Sequence, residues 1–160
     1  MRVVYHCFGG AHSSPVAAAI HAGLLPADRV PDGRTLARIP YFDTTPPSHW
    51  GELLPVGKDA HGHEIYVMGH GPHGALACRA VLAGYALGRE EWPPLLLIDT
   101  VPYINLWMRI GGFLSRRLRL VSLGRPLVIW GTKRAYPRLA ALVREVQARC
   151  DSRARPSAQR

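Results

Sequence analysis

The segment RVVYHCFGGAHSSPVAAAIHAGLL runs a β-branched, aromatic stretch into a glycine pair and then into an alanine-rich stretch. That order reads as strand, tight turn, helix, because β-branched residues suit a pleated strand and alanine suits a helix. Ser14 is a good N-cap, Pro15 suits the first helical position and Gly23 lies near the helix end. A strand that opens the chain and feeds a helix is the start of a parallel α/β unit. The rest of the chain must supply strands to pair with it.

Two apolar segments around GKDAHG predict a hairpin over residues 52–56 and 64–68. GALACRAVLAGYALG has Leu76, Ala80, Ala83 and Leu87 at near-helical spacing, and PPLLLID is a short apolar run fit for a buried parallel strand ending at Asp99. INLWMRIGGFLSRRLRL reads as a helix, with Gly111 and Gly112 as a point where it kinks or breaks. RPLVIWG reads as the last strand and AYPRLAALVREVQARC as the last helix, with Pro137 in its first turn. Residues 26–55 are rich in Pro, Gly, Asp and Thr, a long loop with one short element around RTLARIPYFD. The expected fold is α/β, a three-layer Rossmann-like sandwich with a mainly parallel sheet plus one β-hairpin. It spans a single domain over residues 1–149, followed by a disordered basic tail over 150–160.

With 160 residues, 48% of them hydrophobic and 19% charged, the chain can bury a real core and is not globally disordered. Cys7, Cys78 and Cys150 are odd in number and far apart, which excludes a zinc ribbon or disulfide framework and suits a reducing cytosol. MRVVYHCFGG lacks the apolar core of a signal peptide, and no transmembrane segment is expected. A cytoplasmic protein follows as the expectation.

The +9 net charge is concentrated. After Asp99 the next acid is Glu145, and the nine cations between them equal the whole excess, since the other 11 basic residues balance the 11 acids. Such a field favours anions: a phosphate-bearing small molecule, nucleic acid, a membrane surface or an acidic protein partner. A biased usage of arginine, 18 against two lysines, is the plainer explanation.

Ligands of open parallel sheets bind beyond the strand carboxyl ends. The four segments expected there are CFGGAHSS, GHGPHG, DTVPYIN and GTKRAY. In the first, Gly9 and Gly10 let backbone amides approach an anion, and Ser13 and Ser14 add hydroxyls at a helix N-terminus. His12 is a candidate proton shuttle, and Cys7 a candidate nucleophile if the helix end lowers its pKa. The alternatives are a buried apolar cysteine and serines that only cap. GHGPHG formally satisfies Gly-x-Gly-x-x-Gly and makes Gly69 and Gly71 ligand candidates, although its strand belongs to a hairpin. Asp99 is a candidate catalytic acid or Mg²⁺ holder, with capping of the next turn as its alternative, and Thr100 follows it. Thr132, Lys133 and Arg134 complete the set by supplying a hydroxyl and positive charge.

Neighbouring motifs fail on specific residues. A phosphatase-type Cys-x5-Arg loop lacks its arginine, since Ser13 follows Cys7 at the sixth position, and a Walker-type loop lacks its lysine. His61, His63, His70 and His73 could approach one another, but no spacing matches a structural zinc site, so no metal ligand is assigned. LWMRIGGFLSRRLRL fits a core helix with a solvated face, or a segment lying on a membrane or partner.

YHCFGGAHSS, IPYFD, GKDAHGHEIYVMG, DTVPYINLWMRIGGFLSRRL and GRPLVIWGTKRAY together resemble DUF3189, a family of bacterial proteins found chiefly in Firmicutes. The resemblance covers residues 1–148 and implies a compact single-domain protein. It brings no reaction and no catalytic residues with it. The functional expectation is therefore a protein that binds a phosphate-bearing small molecule or nucleotide at the strand-end loops, with phosphoryl transfer or hydrolysis as the chemistry if it is an enzyme. The competing expectation is a non-enzymatic module whose arginine-rich half binds a macromolecule.

Overall fold

A computed structural model describes residues 1–88 and 92–154. Strand β1 (Arg2–Cys7) lies between two parallel neighbours, β3 (Glu64–Gly69) and β4 (Leu95–Asp99), while β2 (Leu54–Lys58) pairs antiparallel with β3. The order β2-β3-β1-β4 makes a mixed four-stranded sheet. The predicted hairpin is thus real, shifted by two residues at β2, with Asp59 closing its turn through bonds from the His61 and His63 amides. Pro55 sits in edge strand β2 beside a register shift, where a missing amide does least harm.

Five helices surround the sheet: α1 (Ser13–His21), α2 (Gly33–Arg38), α3 (Gly74–Leu87), α4 (Leu106–Gly112) and α5 (Val121–Ala154). Alternation along β1 sends Val3 and Tyr5 to one face, where they join Ile65, Ile98 and residues of α1 and α5 in the core. His6 points to the opposite face, where Cys78 of α3 lies 3.7 Å from its ring. Helix α2 is the short element expected near RTLARIPYFD, its N-cap Asp32 accepting from the Thr35 amide at 2.7 Å.

Two expectations are corrected. RPLVIWG is not a strand: it forms part of α5, continuous with the expected last helix. An apolar run does not distinguish strand from buried helix. The deciding feature is Gly124, Val128 and Gly131, spaced to bring one side of the helix against α4. The helix also continues through Ala154, so residues 150–154 are ordered; residues 155–160 lie outside the described set. On α3, the helix expected there, Leu76, Ala80, Ala83 and Leu87 are exposed, and Ala77, Cys78, Val81 and Tyr85 are half-buried. The helix carries two apolar stripes, and periodicity cannot choose between them. Among the described residues, no helix is long and apolar enough to cross a membrane.

Candidate functional site

The carboxyl ends of β3, β1 and β4 meet at one edge. There the His70 amide donates to the Cys7 carbonyl at 3.2 Å, and the Thr100 amide to the His6 carbonyl at 2.9 Å. Loop 8–12 lies directly on the loop after β3. Gly10 has φ 62°, and a Cβ there would stand 2.6 Å from the Gly69 amide nitrogen. Gly71, at φ 56°, sits under the Trp50 ring. Gly10 and Gly69 therefore let two loops touch backbone to backbone, and Gly71 makes room for the Trp50 ring, packing reasons for glycine that need no ligand; a side chain on Gly9 would meet only ordinary contacts with Ala11.

Helix α1 starts two residues earlier than expected, with His12 in the N-cap position and no side chain capping its first turn. Ser14 does not cap. Its hydroxyl is 3.1 Å from Cys7 Sγ, and both residues are buried. Thr100 donates its single hydroxyl proton to the His6 carbonyl at 2.8 Å, so in the 2.9 Å contact with Ser13 the serine is the donor. Cys7, Ser13, Ser14 and Thr100 thus spend their polar atoms on one another, inside the protein.

His12 is the exception. Its Nε2 is 3.2 Å from Asp43 Oδ1, and its ring packs edge-on against Phe42 and beside Gly112. Asp43 sits at φ 55° with a fully buried side chain, and its amide donates to the Ala11 carbonyl at 2.8 Å. Ser115 donates to its Oδ2 at 2.7 Å and Arg125 at 3.2 Å. Burial alone would raise the Asp43 pKa, but hydrogen bonds from His12, Ser115 and Arg125 outweigh it and hold the carboxyl below its ordinary value. Arg116 donates to the backbone carbonyls of Asp43 and Thr45, and Thr45 to the Gly10 carbonyl at 2.9 Å. The long proline-rich loop is thereby strapped across the first loop.

Asp99 and His6 lie on the other face of the sheet. Asp99 accepts from the Val101 amide at 2.8 Å, the capping alternative, and its side chain is half exposed. Burial pushes the His6 pKa down, against the pull of Asp99, and burial raises that of Cys78. Thr132, Lys133 and Arg134 do not follow a strand; they lie in mid-α5. The Thr132 hydroxyl is the one buried side-chain polar atom without a partner among the described residues. Lys133 acts electrostatically on Asp32, and Arg134 stacks over Trp130 at 4.3 Å.

The histidines divide between the two edges of the sheet. His70 and His73 stay with the site, whereas His61 and His63 join Asp59 at the hairpin turn, with donor atoms within 4.8 Å of one another. Asp59 is already committed there, to His63 at 2.8 Å, to His21 at 3.3 Å and to two backbone amides. Asp43, Ser115 and Arg125 were not singled out by the sequence. The available signal was IPYFD, an acid directly after two aromatics in the proline-rich loop.

No curated protein and no solved structure matches the chain. A model of one protein family, described as a protein of unknown function (DUF3189), matches residues 2–148. With almost the whole length matched, the chain belongs to the DUF3189 family.

Proposed function

We propose that the protein binds a phosphate-bearing small molecule, nucleotides among the class, at the N-terminal turn of α1, and that His12 moves a proton in phosphoryl transfer or hydrolysis there. One observation carries the reading: His12 occupies the N-cap position of an otherwise uncapped helix and is turned onto a buried aspartate. Uncapped first-turn amides and the helix dipole attract an anion. With Nε2 donating to Asp43, Nδ1 is the ring atom left to exchange a proton with a ligand. Asp43 then acts as a positioning residue, fixing the tautomer and ring plane.

The Rossmann-like, three-layer reading of the fold supports this placement, since such folds take ligands at the same strand edge. The three unpaired cysteines fit a reducing cytosol, as expected of a bacterial cytoplasmic protein. Cys7 takes no part as a nucleophile in this scheme, because Ser14 occupies its sulfur. Mg²⁺, if the ligand brings it, would meet the exposed Asp99 carboxylate.

A thermal-shift series with inorganic phosphate, pyrophosphate and nucleoside phosphates, with and without Mg²⁺, tests the reading. A ligand at a hundred times its Kd stabilises by about 2.7 kcal/mol, or roughly 5–10 °C for a domain of this size. The shift is expected in wild type and lost in His12→Ala. No shift with any of these anions, or an equal shift in the variant, refutes the reading.

A further inference from the structure

Helices α4 and α5 pack as an inside-out hairpin. A Cβ on Gly111 would stand 2.6 Å from the Val128 amide, one on Gly124 2.4 Å from the Ser115 amide, and one on Gly131 2.8 Å from the Met108 amide. Two backbones this close leave little room for large side chains between them. Most of the large apolar residues are on the outside instead: Leu106 (62% exposed), Ile110, Phe113 (55%) and Leu123 (61%). Among the described residues, nine of the 17 exposed large apolar side chains fall within residues 106–130, so the exposure is concentrated on this hairpin. Small residues at the seam and large ones facing out is how helices pack when their surroundings are apolar.

The polar residues on this surface have one sign. Arg109, Arg117, Arg119 and Arg134 are exposed, none makes an ion pair among the described residues, and no acid occurs between Asp99 and Glu145. Trp107 and Trp130 meet edge to face at 4.8 Å across the two helices. Next to them is a cleft of about 310 Å³ lined by Tyr103, Asn105, Trp107, Arg134 and Arg138. Arg134 is held over Trp130 at 4.3 Å and Arg138 over Tyr103 at 5.4 Å, so both guanidinium groups are positioned at that cleft.

We infer that this hairpin docks on an anionic lipid surface. Its aliphatic residues and Phe113 enter the headgroup boundary, the tryptophan pair lies at the interface, and a lipid phosphate occupies the Arg134–Arg138 cleft. Charge complementarity selects the occupant. A second copy would bring arginine-rich faces together, and nucleic acid would give the exposed Leu, Ile and Val side chains nothing to bury against. An amphipathic face with basic flanks and tryptophans is the interfacial pattern.

The test is flotation of the full chain with vesicles of phosphatidylcholine alone or of equal parts phosphatidylcholine and phosphatidylglycerol, read together with tryptophan emission. Binding only to the anionic vesicles, with a blue shift, is expected. Ile110→Ser combined with Phe113→Ser should weaken it at least about tenfold, and Arg134→Gln or Arg138→Gln roughly fivefold each, all with unchanged circular dichroism. Lack of binding at low salt overturns the inference. So does vesicle binding that survives the Ile110/Phe113 change and is matched by duplex DNA or polyglutamate, which would make the surface a general polyanion site. A dimer in sedimentation that dissociates on Phe113→Ser overturns it too, by showing that a second copy covers the face.

Discussion

Asp43 shows how much one side chain can organise. It joins the proline-rich loop, α1, the turn after α4 and the start of α5 through His12, Ser115 and Arg125. Asp43→Asn keeps the shape but removes the charge that three donors face, and should cost about 2 kcal/mol in urea unfolding, as for a buried charged hydrogen bond. A cost below about 0.5 kcal/mol would mean that the network carries no net stability. The serines behave differently. Ser13→Ala with Ser14→Ala should lower stability by about 1–2 kcal/mol, one modest term per hydroxyl, yet leave any ligand shift intact, because those hydroxyls face inward. Thiol labelling makes the same point at Cys7. It and Cys150 are buried and Cys78 is partly exposed, so a maleimide should modify Cys78 first in the native protein. Fast labelling of Cys7 would instead show that the first loop opens.

At the scale of elements, the contacts that decide the architecture are made by glycine. Gly10 requires both a positive φ and the absence of a side chain, since a Cβ would meet Gly69. Gly10→Ala should destabilise by at least about 2 kcal/mol through strain and overpacking, measured as a urea midpoint with unchanged slope. A loss under about 1 kcal/mol would show that the loops can separate cheaply. Gly124, without a positive φ, likewise leaves no room for a side chain between α5 and the π-helical turn at Phe113–Arg117. There the expected kink after Gly111 and Gly112 appears as that turn. The strand and helix pattern of the first 70 residues was legible because alternation and turn chemistry are local. RPLVIWG was not, because its helical state depends on which partner its glycines meet.

For the whole molecule, charge burial sets the response to acid. Burial holds the pKa values of His6 and His21 below the ordinary histidine value, against the pull of Asp99 and Asp59. Asp43 and Asp59 are held below the ordinary carboxyl value, where hydrogen bonds outweigh burial. All four are depressed on folding, so the unfolded chain binds more protons at low pH. Stability is full above the unfolded histidine value of about 6.5 and should decline as pH falls below it, with a second decline below the unfolded aspartate value of about 3.9. Urea midpoints measured from pH 8 to pH 5 check the first window. A flat profile would show that His6 and His21 are not desolvated in the folded state.

The sequence by itself determined the opening strand–turn–helix, the hairpin, the strand ending at Asp99, the clustering of cations and the family. The elements rest on near-neighbour chemistry, the charge on composition and the family on the resemblance of whole motifs. The tertiary structure decided the rest. It turned Ser13 and Ser14 inward, made His12 with Asp43 the centre of the candidate site, placed Thr132, Lys133 and Arg134 on a helix, and chose the exposed stripe of α3. These outcomes depend on contacts between residues tens of positions apart, such as His12 with Asp43 and Asp43 with Arg125, and no local pattern encodes which distant group a side chain will face.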